Sequence, residues 1–334
     1  MMELNSQFTS VINHIKQTSQ SVDCSGAAAF VIHNDNIVVE EYWGTQSKEA
    51  NARIVQANTQ FHVASVRKSY IGFAVAYAIY YGYIGSIDEK ISLYFPEIKE
   101  ELLSDTTIRH LLTHTHGLVE KNGCIMREFA AGTSWAYRSV GVDLLTKLVK
   151  ETTGKTIAAI LQDTVFTPLG LQETGWYADE KENFVDVIRA QNDSLWKTSQ
   201  SVNGDKMNMY VSARDLAKWG YFHLKQGNIG GTQIVPKELI QLATSVQSPD
   251  GIHRDLPQNG CLWFVKDKQA KKTEIGATVP KGSFQILGYT TVTLLVIPEK
   301  NLVAVRAFNS FGSPEGYNYL EDVRSFGDTV MECC

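Results

Sequence analysis

The strand-forming runs of this chain lie at its two ends, and that placement constrains the fold more than any other feature. Near the N-terminus, after a short helical segment, "AAAFVIHNDNIVVEEYWG" holds two β-rich runs, Ala27–Val31 and Ile37–Tyr42, around the turn-forming His33–Asn36. Near the C-terminus, "TVTLLVI" and "LVAVRAF" flank "PEKN", and "SFQILG" adds a third strand before them. The region between reads mostly as helix. "SVGVDLLTKLVKETTG" places Leu144, Leu145, Leu148 and Val149 on one face and stops at Gly154. "SARDLAKWGYFHLKQG" offers Ser212 as N-cap and Gly227 as stop. Strands at both ends must pair, so the termini come together in one antiparallel sheet with helices packed on it. The expected class is α+β. Residues 1–60 and 255–334 form the sheet part, 61–254 a mainly helical lobe, and a closing helix follows Ser313.

Within that frame "FHVASVRKSY" places Ser65 and Lys68 one helical turn apart, at the head of the apolar run Ile71–Gly85. That run is about 15 residues long and short of the roughly 20 that a membrane span needs, so it reads as a buried core helix. Its burial bears on the pair before it. A serine hydroxyl is a weak nucleophile until a base takes its proton. A lysine can be that base when burial or neighbouring positive charge lowers its pKa, and arginine cannot. The bland reading is a helix start with a solvated lysine. A second element, "WAYRSVGVDLL", sets Tyr137 at a loop end, with Ser139 opening the next helix. Alone these are a core tyrosine beside an N-cap serine. Coupled to the Ser65–Lys68 pair, the tyrosine is a candidate proton carrier.

These segments resemble, in order along most of the chain, the serine β-lactamase-related family. The family includes class C β-lactamases, D-alanyl-D-alanine peptidases and carboxylesterases of the same fold. Residues 61–98, including Asp88, look like its nucleophile segment. "TIRHLLTHTHGL", "GTSWAYRSVGVDLL" and "MYVSARDLAKWG" look like the blocks that follow. The resemblance implies Ser65 as nucleophile, Lys68 as base and Tyr137 as partner. It also implies an oxyanion site made of the Ser65 N–H and an N–H at the edge of a C-terminal strand. Three positions depart from the pattern. Ser139 stands where the family often has Asn, and His116 where it has a small residue. The third motif, usually Lys-Thr-Gly or His-x-Gly, is placed at Ile286-Leu287-Gly288, with Tyr289 supplying the oxyanion N–H. "PKG" at Pro280–Gly282 is the alternative placement. With isoleucine at the cationic position, the expected substrate is a small neutral ester, hydrolysed through an acyl-enzyme without metal or cofactor. The alternatives are a β-lactam or D-alanyl-D-alanine peptide substrate, or a degenerate homologue that binds a ligand without turnover.

Composition removes other classes. Formal net charge is −5, from 31 basic and 36 acidic residues with no basic cluster, which argues against nucleic acid as a partner. The start, "MMELNSQFTS", has neither the basic nor the apolar region of a secretory signal. Cys24, Cys124, Cys261, Cys333 and Cys334 are odd in number and scattered, so they read as reduced thiols in a cytoplasmic protein, the last two on a frayed tail. Oligomeric state is not legible. His110, His114 and His116 mimic metal-ligand spacing, His110 and His114 lying one helical turn apart, but a zinc site would need a third ligand and an open position, and the plainer reading is a polar helix end. "TGKT" at Thr153–Thr156 lacks the upstream glycine of a phosphate loop. The tyrosines at 77, 80, 81 and 83 read as core and rim, and Trp263 and Phe264 equally as cleft lining or core.

Overall fold

The structure, a computed structural model, describes residues 7–190, 193 and 195–334. In chain order, helix α1 (Thr9–Ser21) leads into strands β1 (Gly26–His33) and β2 (Asn36–Gly44). Strand β3 (Gln60–His62) enters helix α2 (Arg67–Tyr80), and a short helix α3 (Ile108–Leu112) and the longer α4 (Ser139–Thr153) follow. Next come β4 (Thr174–Trp176), β5 (Met209–Ser212), α5 (Ala213–Leu224) and α6 (Lys237–Thr244). The chain finishes with β6 (Phe264–Val265), β7 (Phe284–Leu287), β8 (Thr293–Ile297), β9 (Leu302–Phe308) and α7 (Tyr319–Glu332).

The main sheet has the order β6-β7-β8-β9-β1-β2 and is antiparallel at every pairing. The first strand pairs with the last, Ala27 opposite Phe308 and His33 opposite Leu302, so the two chain ends do meet. The β1–β2 hairpin turns at Asn34 and Asp35, both with positive φ, as a two-residue turn matching strand twist demands. Because side chains alternate, the sheet feeds two cores. Ala28, Phe30, Leu294, Val296, Val303 and Val305 face the helical lobe. Ala27, Ala29, Val31, Leu295, Ile297 and Ala304 face α1 and α7. Both faces are covered, which is why these strands read as nearly continuous apolar runs.

The helices follow their patterns. Leu144, Leu145, Leu148 and Val149 of α4 are buried, and Gly154 ends it in the left-handed conformation at φ +70°. Ser212 caps α5, its Oγ accepting from the Asp215 N–H at 3.1 Å. Helix α2 is apolar almost all round, and residues Ile71–Ala76 are buried as the axis of the lobe. The ring of Tyr70 stacks on Trp219 at 4.3 Å, and the Trp219 indole N–H donates to Ser69 Oγ at 3.0 Å, tying α5 to α2. One expectation is overturned at the C-terminus. Cys333 is docked rather than frayed. It is buried against α1, and its carbonyl accepts from Gln7 Nε2 at 2.7 Å. All five cysteines are unpaired thiols. Among the described residues no helix is long and apolar enough to cross a membrane.

Candidate active site

Strand β3 delivers the chain to the site. It pairs with β5, His62 opposite Tyr210, and the Val63 N–H donates to the Met209 carbonyl at 3.1 Å. The next residue, Ala64, has φ +45°, a left-handed conformation that costs a residue with a Cβ on the order of 1–3 kcal/mol. This turn swings the chain from strand into a short 3₁₀ turn, Ala64–Val66, that carries Ser65 and runs straight into α2. Lys68 follows one turn on, and its Nζ lies 2.7 Å from Ser65 Oγ. The lysine is only 6% exposed. Burial, and then the neighbouring charge of Arg67, hold its ammonium well below lysine's usual range, with Asp143 opposing. A hydroxyl in hydrogen-bond contact with an amine that favours its neutral form is the arrangement nucleophilic activation requires.

Tyr137 closes this group. Its ring centre lies 4.6 Å from Lys68 Nζ and 4.5 Å from the ring of His114. Two bonds fix the loop that holds it. The Ala136 N–H donates to the His114 carbonyl at 3.0 Å, and the Trp135 indole N–H donates to Asn259 Oδ1 at 2.9 Å. Tyr137 is not a core tyrosine, since 37% of its surface is open. Burial pushes the phenol far up, and the Ser65 hydroxyl, as a hydrogen-bond partner, offsets part of that. His114 is sealed in with φ +58° and is held neutral by burial and by Lys68. Ser139 is exposed in the first helical position rather than at the N-cap, which is Arg138, and among the described residues its hydroxyl makes no hydrogen bond.

The strand edge opposite is built from backbone. Gly288 follows β7 and lies against the Ser65 turn, where a Cβ would overlap the Val63 carbonyl oxygen. The turn that follows is clamped on all sides. The Gly288 N–H donates to the Val292 carbonyl at 2.8 Å, the Thr291 N–H to Gly288 at 2.9 Å, and the Gly312 N–H to Tyr289 at 2.8 Å. Thr290 Oγ1 donates to the His62 carbonyl at 2.6 Å, stitching this turn to β3. Among the described residues the Ser65 and Tyr289 N–H groups donate to no backbone carbonyl. Tyr289 is 42% exposed, its ring edge-on to Phe311 at 4.9 Å. Ile286 is fully buried in the lobe-side core and Leu287 in the other core, so neither side chain stands on an open surface. The alternative glycine, Gly282, lies two residues before β7 at its far end, and Lys281 there is exposed beside Asp267.

Other sequence signals resolve without chemistry. His110 forms a capping box with Thr107 at the start of α3, and among the described residues no group of His, Cys, Asp and Glu could hold a metal. His116 occupies its position because Gly141 leaves room for the ring, and its Nδ1 accepts from the Leu118 N–H at 2.9 Å. Asp88 pairs with Arg109 at 2.6 Å on the surface. Lys155 of "TGKT" pairs with Asp163 at 3.2 Å, Tyr77 and Tyr81 pack on each other, and Trp263 and Phe264 are core. Four residues of the site went unread in the sequence: Ala64, Arg67, His114 in its contact with Tyr137, and Glu274. Burial pushes the Glu274 carboxyl up to about 7, and its charge opposes ionisation of Tyr137. Of these, only Arg67 carried a readable signal, a charged residue between the paired serine and lysine.

A sequence model of the family described as Beta-lactamase matches residues 11–325. The chain is 61% identical over 330 residues to an uncharacterized protein of Alkalihalophilus pseudofirmus, covering 99% of this chain and 97% of that one. It is 29% identical over 194 residues to Esterase EstB of Burkholderia gladioli, a match spanning 48% of this chain and 49% of the esterase. Among solved structures, a class C beta-lactamase in complex with cefoxitin superposes with a TM-score of 0.78 at 15% identity, over 98% of this chain and 99% of that one. That likeness shows the shared fold.

Proposed function

The chain belongs to the beta-lactamase family of serine hydrolases, and from that premise we propose that Ser65 is the nucleophile of an acyl-enzyme hydrolase acting on small neutral esters. One observation carries the reading: the 2.7 Å contact between Ser65 Oγ and a buried Lys68 amine. Lys68 Nζ takes the Oγ proton as the Oγ–carbonyl carbon bond forms. The oxyanion that develops sits between the Ser65 and Tyr289 N–H groups, where one such donor is worth roughly 3–4 kcal/mol. Collapse breaks the bond to the leaving oxygen, which receives the proton from Lys68 by way of Tyr137. Water then gives its proton to the same pair as it bonds to the acyl carbon; the acyl carbon–Oγ bond breaks, and the pair returns the proton to Ser65 Oγ. Proton handling of this kind contributes about 10²- to 10⁴-fold. The sheet part, 1–60 with 255–334, and the lobe, 61–254, meet at this site in the same reading.

The preference for a neutral ester rests on β7. A substrate carboxylate near the scissile bond loses water in the cleft and needs a charged or strongly donating partner. Ile286 offers none and is packed in the core. The likeness to Esterase EstB supports the same direction. Labelling with a fluorophosphonate probe, followed by peptide mass spectrometry, tests the nucleophile. The adduct is expected on Ser65 and absent in Ser65→Ala. An unlabelled protein, or an adduct on another residue, overturns the reading in favour of a binding protein or a different nucleophile.

A further inference from the structure

A second cation is adjacent to Lys68 in the chain, and among the described residues it has no hydrogen-bond or ion-pair partner. Arg67 is 5% exposed, and its guanidinium Nε and Nη1 make no hydrogen bond. Among the described residues it enters no ion pair. Leaving a buried charge unpaired is strongly destabilising, and arginine cannot relieve it by shedding its proton. The position is specific: Arg67 and Lys68 are adjacent in the buried first turn of α2, and both bear on Tyr137. The other groups around Lys68 do not balance this charge. Asp143, on α4, and Asp205 act on the Arg67 charge from a distance, and among the described residues neither forms an ion pair with Arg67 or Lys68. His114, at the end of α3, is neutral, and Ser65 and the Tyr137 phenol carry no charge while protonated.

We propose that Arg67 is a positioning residue whose fixed positive charge keeps Lys68 in its amine form, ready to take the Ser65 proton. The proposal rests on the reading of Lys68 as base. Two cations in one dry turn repel each other, and only the lysine can lose its proton, a known way of activating a lysine. The direction of the electrostatics agrees: Arg67 lowers the Lys68 ammonium while Asp143 raises it, and Arg67 also favours the ionised form of Tyr137. The destabilising arginine thus has a use in the reaction.

The test is the pH dependence of kcat/KM for p-nitrophenyl acetate in wild type, Arg67→Met, Asp143→Asn and Lys68→Ala. Activity falls at low pH as Lys68 takes a proton. Without the Arg67 charge the ammonium persists to higher pH, so the acid limb of Arg67→Met is expected to move up by about one pH unit. Activity lost below the raised limb is then recovered at higher pH, which mere structural damage would not produce. Asp143→Asn removes the opposing charge and is expected to move the limb down. An acid limb that stays in place in Arg67→Met overturns the proposal. If that variant does not fold, Arg67→Gln, which keeps polar groups in the pocket without the charge, decides: a raised limb supports the proposal and an unmoved one overturns it. Lys68→Ala separates the two levels. If it keeps turnover, the base assignment fails. If it is inactive while the Arg67→Met limb is unmoved, only the role of Arg67 fails.

Discussion

The Ser65 turn and the Gly288 edge touch, yet they serve the site in different ways. At the first, the candidate base is sealed from water: Lys68 is buried against Ser65, and next to it in the chain is Arg67, a buried guanidinium that forms no ion pair among the described residues. At the second, the Ile286 and Leu287 side chains lie in two cores, and the edge offers backbone, Gly288 pressed on Val63 and the Tyr289 N–H, beside the half-exposed ring of Tyr289. In the proposed reaction, bond-making depends on the first. Recognition of a substrate's own charge would need side chains from the second, and Ile286 supplies none. A site can therefore keep its reaction while losing its taste for anions.

The largest break in this contrast comes from the first region. Ser65→Ala and Lys68→Ala should each lower kcat for p-nitrophenyl esters by about 10⁴-fold or more, with the double variant little worse than either. Lys68→Arg should be as inactive as Lys68→Ala, since arginine cannot accept the proton, and a robustly active Lys68→Arg would assign the base elsewhere. Tyr137→Phe keeps the ring on Lys68 and His114 but removes the hydroxyl. It should cost about 10²-fold in kcat with an unchanged melting temperature, and unaltered kcat on several esters would release Tyr137 from proton transfer.

Smaller effects come from the second region. In Gly288→Ala the new Cβ meets the Val63 carbonyl, so the Ser65 turn and the Tyr289 N–H must part. The loss should be in kcat, about 10²-fold, with KM nearly constant, and full activity would show that the edge is not an oxyanion donor. Ile286→Lys should shift the balance of kcat/KM towards carboxylate-bearing substrates by roughly tenfold. It will also lower the melting temperature, because the position is buried. A folded variant with an unshifted balance would remove Ile286 from specificity.

How far the sequence could be read follows the same physics. Paired strands at the chain ends, the α4 stripe and the Ser212 cap are local patterns, and they appear as expected. The Ser65–Lys68 spacing and its burial were also legible, because an apolar run follows at once. Ala64 was not, since nothing about alanine announces a φ of +45°. Nor was the 4.5 Å contact of His114 with Tyr137, which depends on two distant loops meeting. Glu274 reaches the site only through tertiary packing, and Ile286 could be placed on β7 but not assigned to the core. The docking of Cys333 on α1 likewise needs the folded sheet to bring both ends together.

The central claim is that an intact nucleophilic turn faces an edge without a cation. It is tested most directly by the kcat/KM of the wild-type protein for p-nitrophenyl acetate and butyrate beside that for nitrocefin. The account predicts measurable ester hydrolysis, abolished in Ser65→Ala, and nitrocefin turnover well below it. Nitrocefin hydrolysed faster than any neutral ester would contradict the account and would require another cation, such as Lys281, to hold the carboxylate.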